Sequence, residues 1–351
     1  MGNAKCFLRA FIPLALFVFS LAYFIYTKVT GFTPIRLPGI EEMKSYGPLL
    51  LPILFTAMYI VRAGAALTFA FLTAGFIGEL VPRHILLNYL SSTRNSSYLL
   101  AALLAPLLTV CSCVMLPVFA GLVYAGAGIG PAIAFLLTAP AANIMAVILT
   151  ADIISWKIAI ARLVAAILIA VFTGYVVSKT SWARSLEEKY RLRRAISTQL
   201  VEEKRPLCKR LWSSFKLSGY LARMILPYVL LGIAIVSYIQ AYLPPKIVSM
   251  YLSGYLGIVL GAVIGVPMYT PTLVEVILVD TLRHAGMSAS AALAFLIGGP
   301  MTSIPSMIGA SRIVGWKMVA LYAVLAVIGA IIAGLTYHFI LGDTWWSRKT
   351  P

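Results

Sequence analysis

Apolar runs long enough to cross a lipid bilayer recur along almost the whole chain, and they decide the class of fold before any motif is read. A spanning helix needs about 20 largely apolar residues. The runs 7–26, 64–81, 98–123, 129–150, 157–178, 223–243, 254–281, 289–309 and 317–341 meet or approach that length. A further apolar stretch, 48–61, lies between Pro48 and Arg62. It is either a short separate span or the first part of a long, broken one. No stretch alternates apolar and polar residues as a half-buried strand does. The expected fold is all-α, a polytopic integral membrane protein with about 9–10 transmembrane helices.

Composition excludes a soluble domain. Hydrophobic residues make up 61% and charged residues 11%, whereas a soluble surface needs about 25% charged residues overall. The net charge is +17, from 28 Lys and Arg against 11 Asp and Glu. These basic residues stand between apolar runs rather than on one basic element, so they fit the positive-inside rule and not nucleic-acid binding. One long polar segment, 179–220, holds Lys179, Arg184, Lys189, Arg191, Arg193, Arg194, Lys204, Arg205, Lys209, Arg210 and Lys216. It is expected to be cytoplasmic, as a solvated linker or lying on anionic lipid. The run after Lys5 is too long for a signal-peptide core and lacks an A-x-A site, so it is expected to be a retained span. Cys6 and Cys208 fall in basic stretches and Cys111 and Cys113 in an apolar run, which suggests no disulfide framework.

The chain repeats itself. A shift of 160 residues places Gly126 on Gly286, Phe135 on Phe295, Pro140 on Pro300, and Trp156-Lys157 on Trp316-Lys317. About 16 of the 50 positions from Ala125 to Gly174 are identical under that shift. At a shift of 162, Pro82, Tyr89, Leu90 and Ser91 match Pro244, Tyr251, Leu252 and Ser253. The implied organisation is an N-terminal span and loop at 1–47, a first transmembrane repeat at 48–178, the basic linker at 179–220 and a second repeat at 221–351. With four spans each, both repeats would start and end in the cytoplasm. They would then be parallel, with the linker and the C-terminus both cytoplasmic and a substrate site between them.

Four segments carry the chemistry. Cys111-Ser112-Cys113 precedes Pro117 near the centre of the run 98–123. Residues two apart on a regular helix point about 200° apart, but the proline disrupts the helix and frees a carbonyl. A broken helix would let both thiols face one soft, thiophilic ligand. The alternative is a packing ridge of small residues, Ala101, Ala105, Thr109 and Cys113. The second repeat offers Pro267, Tyr269, Thr270, Pro271 and Thr272 at the matching place. A second pair of breaks is expected around Pro140 and Asn143, and around Pro300, Thr302 and Ser303. Glu275 is the clearest charge inside a span, a candidate proton carrier or the partner of an arginine such as Arg162 or Arg223. The chain has no phosphate-binding G-x-x-x-x-G-K-[ST] loop and no zinc-hydrolase H-E-x-x-H. No cofactor and no histidine metal cluster is indicated.

These motifs resemble a known family. Cys-Ser-Cys-x-x-x-Pro followed by Gly126-Ala-Gly-Ile-Gly-Pro-Ala-Ile-Ala-Phe-Leu-Leu-Thr-Ala-Pro140-Ala-Ala-Asn143 is similar to the predicted permeases that include ArsP-type organoarsenical efflux permeases and YraQ-like proteins. The stretch Val266-Pro-Met-Tyr-Thr-Pro-Thr-Leu-Val-Glu275 resembles the YraQ-like branch. The resemblance implies two four-helix halves in a prokaryotic plasma membrane, and trivalent organoarsenicals as cargo. Thr-Pro-Thr departs from the arsenical pattern. The expected function is a secondary permease exporting a small thiophilic solute, with membrane lipids and a small-molecule or metalloid substrate as partners. The alternatives are a permease for another solute or ion, a membrane thiol redox protein using Cys111 and Cys113, and a non-transporting scaffold.

Overall fold

The structure, a computed structural model, describes residues 2–30, 47–48, 50–80, 89–108, 112–199, 207–242, 254–267, 274–284 and 286–342. Helices account for nearly all of them, and no strand occurs among them. In hydrocarbon no water is available to a free N–H or C=O, so each crossing segment must close its own backbone bonds. The first half contains α1 (Gly2–Thr30), α2 (Leu51–Leu80), α3 (Asn95–Leu104, with a 3-10 turn Ala105–Leu108), α4 (Ser112–Ala125), α5 (Ile129–Ala141), α6 (Ile144–Leu149, with a π turn Thr150–Ile154) and α7 (Trp156–Lys179). A polar helix, α8 (Ser181–Gln199), leads to α9 (Leu207–Tyr242), α10 (Gly254–Gly265), α11 (Val274–His284), α12 (Ala289–Met301), α13 (Ile304–Val314) and α14 (Trp316–Leu341). Among the described residues, five helical stretches are long and apolar enough to cross a membrane. The number is six if α12 and α13, bent by 41°, form one span. The chain is a multi-pass membrane protein.

Element bounds recur at the spacing read from the sequence. Ile129–Ala141, Ile144–Ile154 and the start at Trp156 return 160 residues later as Ala289–Met301, Ile304–Val314 and Trp316. Several expectations are corrected. The stretches 48–61 and 64–81 share one unbroken helix, α2. The helix α9 runs through the boundary expected at 220. Cys208 is disulfide-bonded rather than free.

The runs 98–123 and 254–281 are not single spans. Gly128 N–H donates to Leu90 O at 2.7 Å, so the chain enters before α3 and leaves after α4 at the same level. The arms α3 and α4 therefore form a hairpin that enters the membrane and returns. An arm of fourteen residues is about 21 Å long at 1.5 Å per residue, too short for a hydrocarbon core of about 30 Å. In the second half, Ile258 at the base of α10 and Ser290 at the start of α12 both lie against Gly334. Gly265, at the other end of α10, approaches Gly299. The arms α10 and α11 make the matching hairpin.

The two halves are inverted, which corrects the parallel arrangement. Their corresponding helices run in opposite directions. For α2 and α9, Arg210 Nη2 donates to Glu79 O at 3.2 Å, and Tyr238 Oη donates to Pro48 O at 2.8 Å. The start of one helix thus meets the end of the other at both ends. For α7 and α14, Lys317 Nζ stands 5.5 Å over the Trp182 ring, while Ile169 packs at Gly329. Each half has three crossings and a hairpin, an odd number of crossings. The linker and the end of α14 therefore lie on opposite faces, not on one. The first hairpin enters from the linker face, where Tyr98 Oη lies 2.8 Å from Ser178 Oγ. The second enters from the opposite face, where Tyr255 and His338 rings meet at 4.9 Å.

The helix α8 lies across the linker face and touches both halves. Glu187 Oε1 accepts from Ile129 N–H at 2.6 Å and from Ser92 Oγ at 2.5 Å. A carboxylate at the start of α5 suits the positive end of that helix. Tyr190 Oη donates to Ile313 O at the end of α13.

Close packing rests on missing side chains. A Cβ on Gly174 would fall 2.5 Å from Gly130 O, where α5 and α7 cross. A Cβ on Gly219 would meet nothing within 4 Å. Gly174→Ala is therefore expected to lower stability by about 1–3 kcal/mol through overpacking, read as an earlier melting transition in detergent. Gly219→Ala is expected to leave the transition unchanged or raise it.

Candidate functional site

Both helix pairs that cross the centre break at the same place in their halves. Pro140 and Pro300 stand in the last turn of α5 and α12. Each lacks an N–H and presses on the carbonyl four residues earlier, which favours an end there. The first break is at Ala142 and Asn143. Asn143 caps α6, its Oδ1 accepting from Met145 N–H at 3.0 Å. The second break is at Thr302 and Ser303. Thr302 Oγ1 donates back to Gly298 O at 2.6 Å, and the Ser303 and Ser306 hydroxyls stand 2.7 Å apart. Apart from Met145, which is exposed, the residues of both breaks are buried, and α5 packs against α12.

An ion pair closes the first break against the second hairpin. Arg162, on α7, is 0% exposed and Glu275, in the first turn of α11, is 3% exposed. Arg162 Nη2 donates to Glu275 Oε1. Its Nε donates to Ala141 O at 2.7 Å, at the end of α5, and Nη1 to Thr150 Oγ1 at 3.2 Å. The guanidinium thus ties together α7, the end of α5, the π turn and the tip of the opposite half's hairpin. The pair breaks the pseudo-symmetry. The residue 160 after Arg162 is Tyr322 and the one 160 before Glu275 is Met115, both fully buried and uncharged.

The structure brings Arg162 and Glu275 to the first break, at the carbonyl between Pro140 and Asn143, with Pro300, Thr302 and Ser303 at the other break. Pro117 lies inside α4, which runs through it unbroken. No break stands at Pro117, and the helix starts at Ser112. Ser112 and Cys113 open α4, but their side chains, and Cys111, lie outside the described residues, as do Tyr269, Thr270, Pro271 and Thr272. Pro267 follows the end of α10, half-buried. Among the described residues no three His, Cys, Asp or Glu side chains stand together as metal ligands. Asp280 pairs with Arg283 at 3.7 Å, near the face opposite the linker. Sequence reading treated Arg162 only as a possible partner. Its signal was plain, a charge within an apolar run.

Comparison with known proteins identifies the family. A family model described as a predicted permease (ArsP_1) matches residues 52–339, and the chain belongs to that family. It is 29% identical to UPF0718 protein MJ0584 of Methanocaldococcus jannaschii, over 79% of this chain and 92% of that protein. It is 26% identical to UPF0718 protein YraQ of Escherichia coli, over 81% of this chain and 80% of that protein. No solved structure matches the chain.

The ion pair has a clear energetic signature. Removing one member strands a buried charge and costs about 3–5 kcal/mol, whereas replacing both by apolar residues is often nearly neutral. Arg162→Met and Glu275→Leu are each expected to destabilise the folded protein in detergent by that order. The double variant is expected to be more stable than either single one. Additive losses would mean that the two side chains do not act as a pair.

Proposed function

We propose that this protein is a secondary permease of the plasma membrane, exporting a small solute by exposing a mid-depth site to each face in turn. The observation that carries this reading is the pair of inverted halves, each sending a hairpin to the centre from its own face. Inverted repeats with discontinuous helices commonly hold a transporter's site at their interface. Rocking one half against the other would then open each face alternately. Membership of a permease family supports the same class, and no nucleotide-binding loop stands in the sequence to drive transport by ATP. The basic linker favours the cytoplasm for its own face, which puts the end of α14 outside.

The cargo reading from the sequence is a thiophilic solute such as a trivalent organoarsenical. Its support is the position of Cys-Ser-Cys in the chain. The helix of α3 and its 3-10 turn is described to Leu108, and α4 starts back at Ser112. The competing reading keeps Ala101, Ala105, Thr109 and Cys113 as a packing ridge of small residues. Transport rather than thiol redox catalysis is the activity proposed.

The test is uptake into everted vesicles across a panel of metalloids and anions, with and without a proton gradient. A thiophilic substrate is expected to accumulate, and Cys111→Ser with Cys113→Ser to abolish that accumulation while the protein stays monodisperse. Serine keeps the size and replaces a soft ligand by a hard one. Full metalloid transport by the folded double-serine variant would remove thiol ligation from the account. Glu275→Gln is expected to depress proton-driven movement while leaving substrate exchange, if Glu275 carries the coupling proton. Equal activity in both assays would leave it a structural partner of Arg162.

A further inference from the structure

Among the described residues, Arg162 and its neighbour Asn143 carry more hydrogen-bond donors than the acceptors that meet them. A guanidinium carries five N–H groups. Those of Arg162 meet three acceptors, Ala141 O, Thr150 Oγ1 and Glu275 Oε1. Asn143, 3% exposed, stands two residues past Ala141 at the same break. Its Oδ1 is assigned by the Met145 N–H that it accepts, so the other end of the amide is the NH2 group with two donors. Among the described residues no acceptor meets that group. Two N–H groups of the buried guanidinium and the amide NH2 at the same break thus face no acceptor among the described residues, a surplus of donors suited to an anion.

Glu275 supplies the only negative charge there among the described residues. It rides in the first turn of α11, on a hairpin that belongs to the other half. Any movement of that hairpin away from α7 removes the carboxylate from Arg162. A bare guanidinium in this setting is strongly disfavoured, so another anion must take the place as Glu275 leaves. A planar fork of N–H donors fits a two-oxygen group such as a carboxylate, phosphate or sulfate.

We propose that Arg162 and Asn143 form a subsite for an oxyanion group of the cargo, and that the Glu275 carboxylate is its resident occupant when cargo is absent. The subsite is single. Its counterparts under the 160-residue shift are Tyr322 and Ser303, which offer hydroxyls and no charge. The proposal rests on the permease reading and names its substrate class, a small anion or a solute with a carboxylate-like group. Displacement of Glu275 by cargo also keeps the empty protein locked, because the charge pair re-forms when the anion departs.

The test uses the purified full-length chain in nanodiscs of zwitterionic lipid, titrated with acetate, phosphate and sulfate, with neutral arsenous acid as control. Binding is read by calorimetry and by ligand-dependent thermal stabilisation. At least one anion is expected to bind the wild-type chain saturably at one site. Glu275→Gln removes the competing charge and is expected to tighten that binding about tenfold or more. In that background Arg162→Gln is expected to abolish binding, and Asn143→Ala to weaken it several-fold. Glu275→Asp serves if Glu275→Gln does not fold, since a shorter carboxylate should loosen the pair and tighten anion binding to a lesser degree. Anion binding that survives Arg162→Gln would be a surface effect and would overturn the proposal. So would a folded Glu275→Gln or Glu275→Asp variant that binds no anion more tightly than wild type. Movement of a neutral solute in vesicles, with no anion bound by any variant, would leave the permease reading standing and remove this one.

Discussion

A charge or an unbonded backbone group cannot stand uncompensated in hydrocarbon, and the centre of this protein is arranged around that constraint. Arg162 is wholly buried, yet every part of its guanidinium fork has a task. Nε holds the carbonyl left at the end of α5, Nη1 holds Thr150 in the π turn, and Nη2 holds Glu275. The broken helix pair needs such a partner, because a break at mid-depth leaves carbonyls without N–H donors. The carboxylate needs it too. One side chain thus stabilises a backbone break in the first half and docks a hairpin from the second.

That arrangement links the fold to movement. Each hairpin reaches the centre from its own face and packs on the broken helix of the opposite half, α4 against α13 and α11 against the π turn at 150–154. The two broken pairs are not bent alike. The stretch Ile129–Ile154 passes as one span, whereas α12 and α13 diverge by 41°. On the permease reading proposed above, exchanging these two shapes between inverted halves would convert a state open to one face into a state open to the other. The strap α8, bonded to Ile129 through Glu187 and to Ile313 through Tyr190, joins both halves at the linker face.

Much of this was legible in the residues. Apolar runs gave the all-α membrane fold because runs of that length without period-2 alternation can close their backbone bonds in lipid as helices and do not read as barrel strands. Pro140 and Pro300, each beside polar residues, marked the two breaks, and Trp156-Lys157 against Trp316-Lys317 fixed the repeat. Orientation was not legible, because run length cannot separate a crossing from a hairpin. The runs 98–123 and 254–281 have enough apolar residues to span, and only the bond from Gly128 to Leu90 and the shared packing of Ile258 and Ser290 on Gly334 show that the chain turns back. Miscounting one hairpin per half as a span turned an odd number of crossings into an even one, and an inverted pair into a parallel one. Arg162 was readable as a charge in an apolar run, but its pairing with a residue 113 positions away was not.

The inversion is the claim on which the rest stands, and the hairpin bases test it most directly. Thr93, before α3, and His284, at the end of α11, are both exposed. Single cysteines at these two positions can be labelled with a membrane-impermeant maleimide in intact cells and in inverted vesicles, each read against the parent chain. Opposite patterns, Thr93→Cys labelled from the linker face only and His284→Cys from the other face only, are the result the account predicts. Labelling of both from one face would contradict it and return the halves to a parallel arrangement.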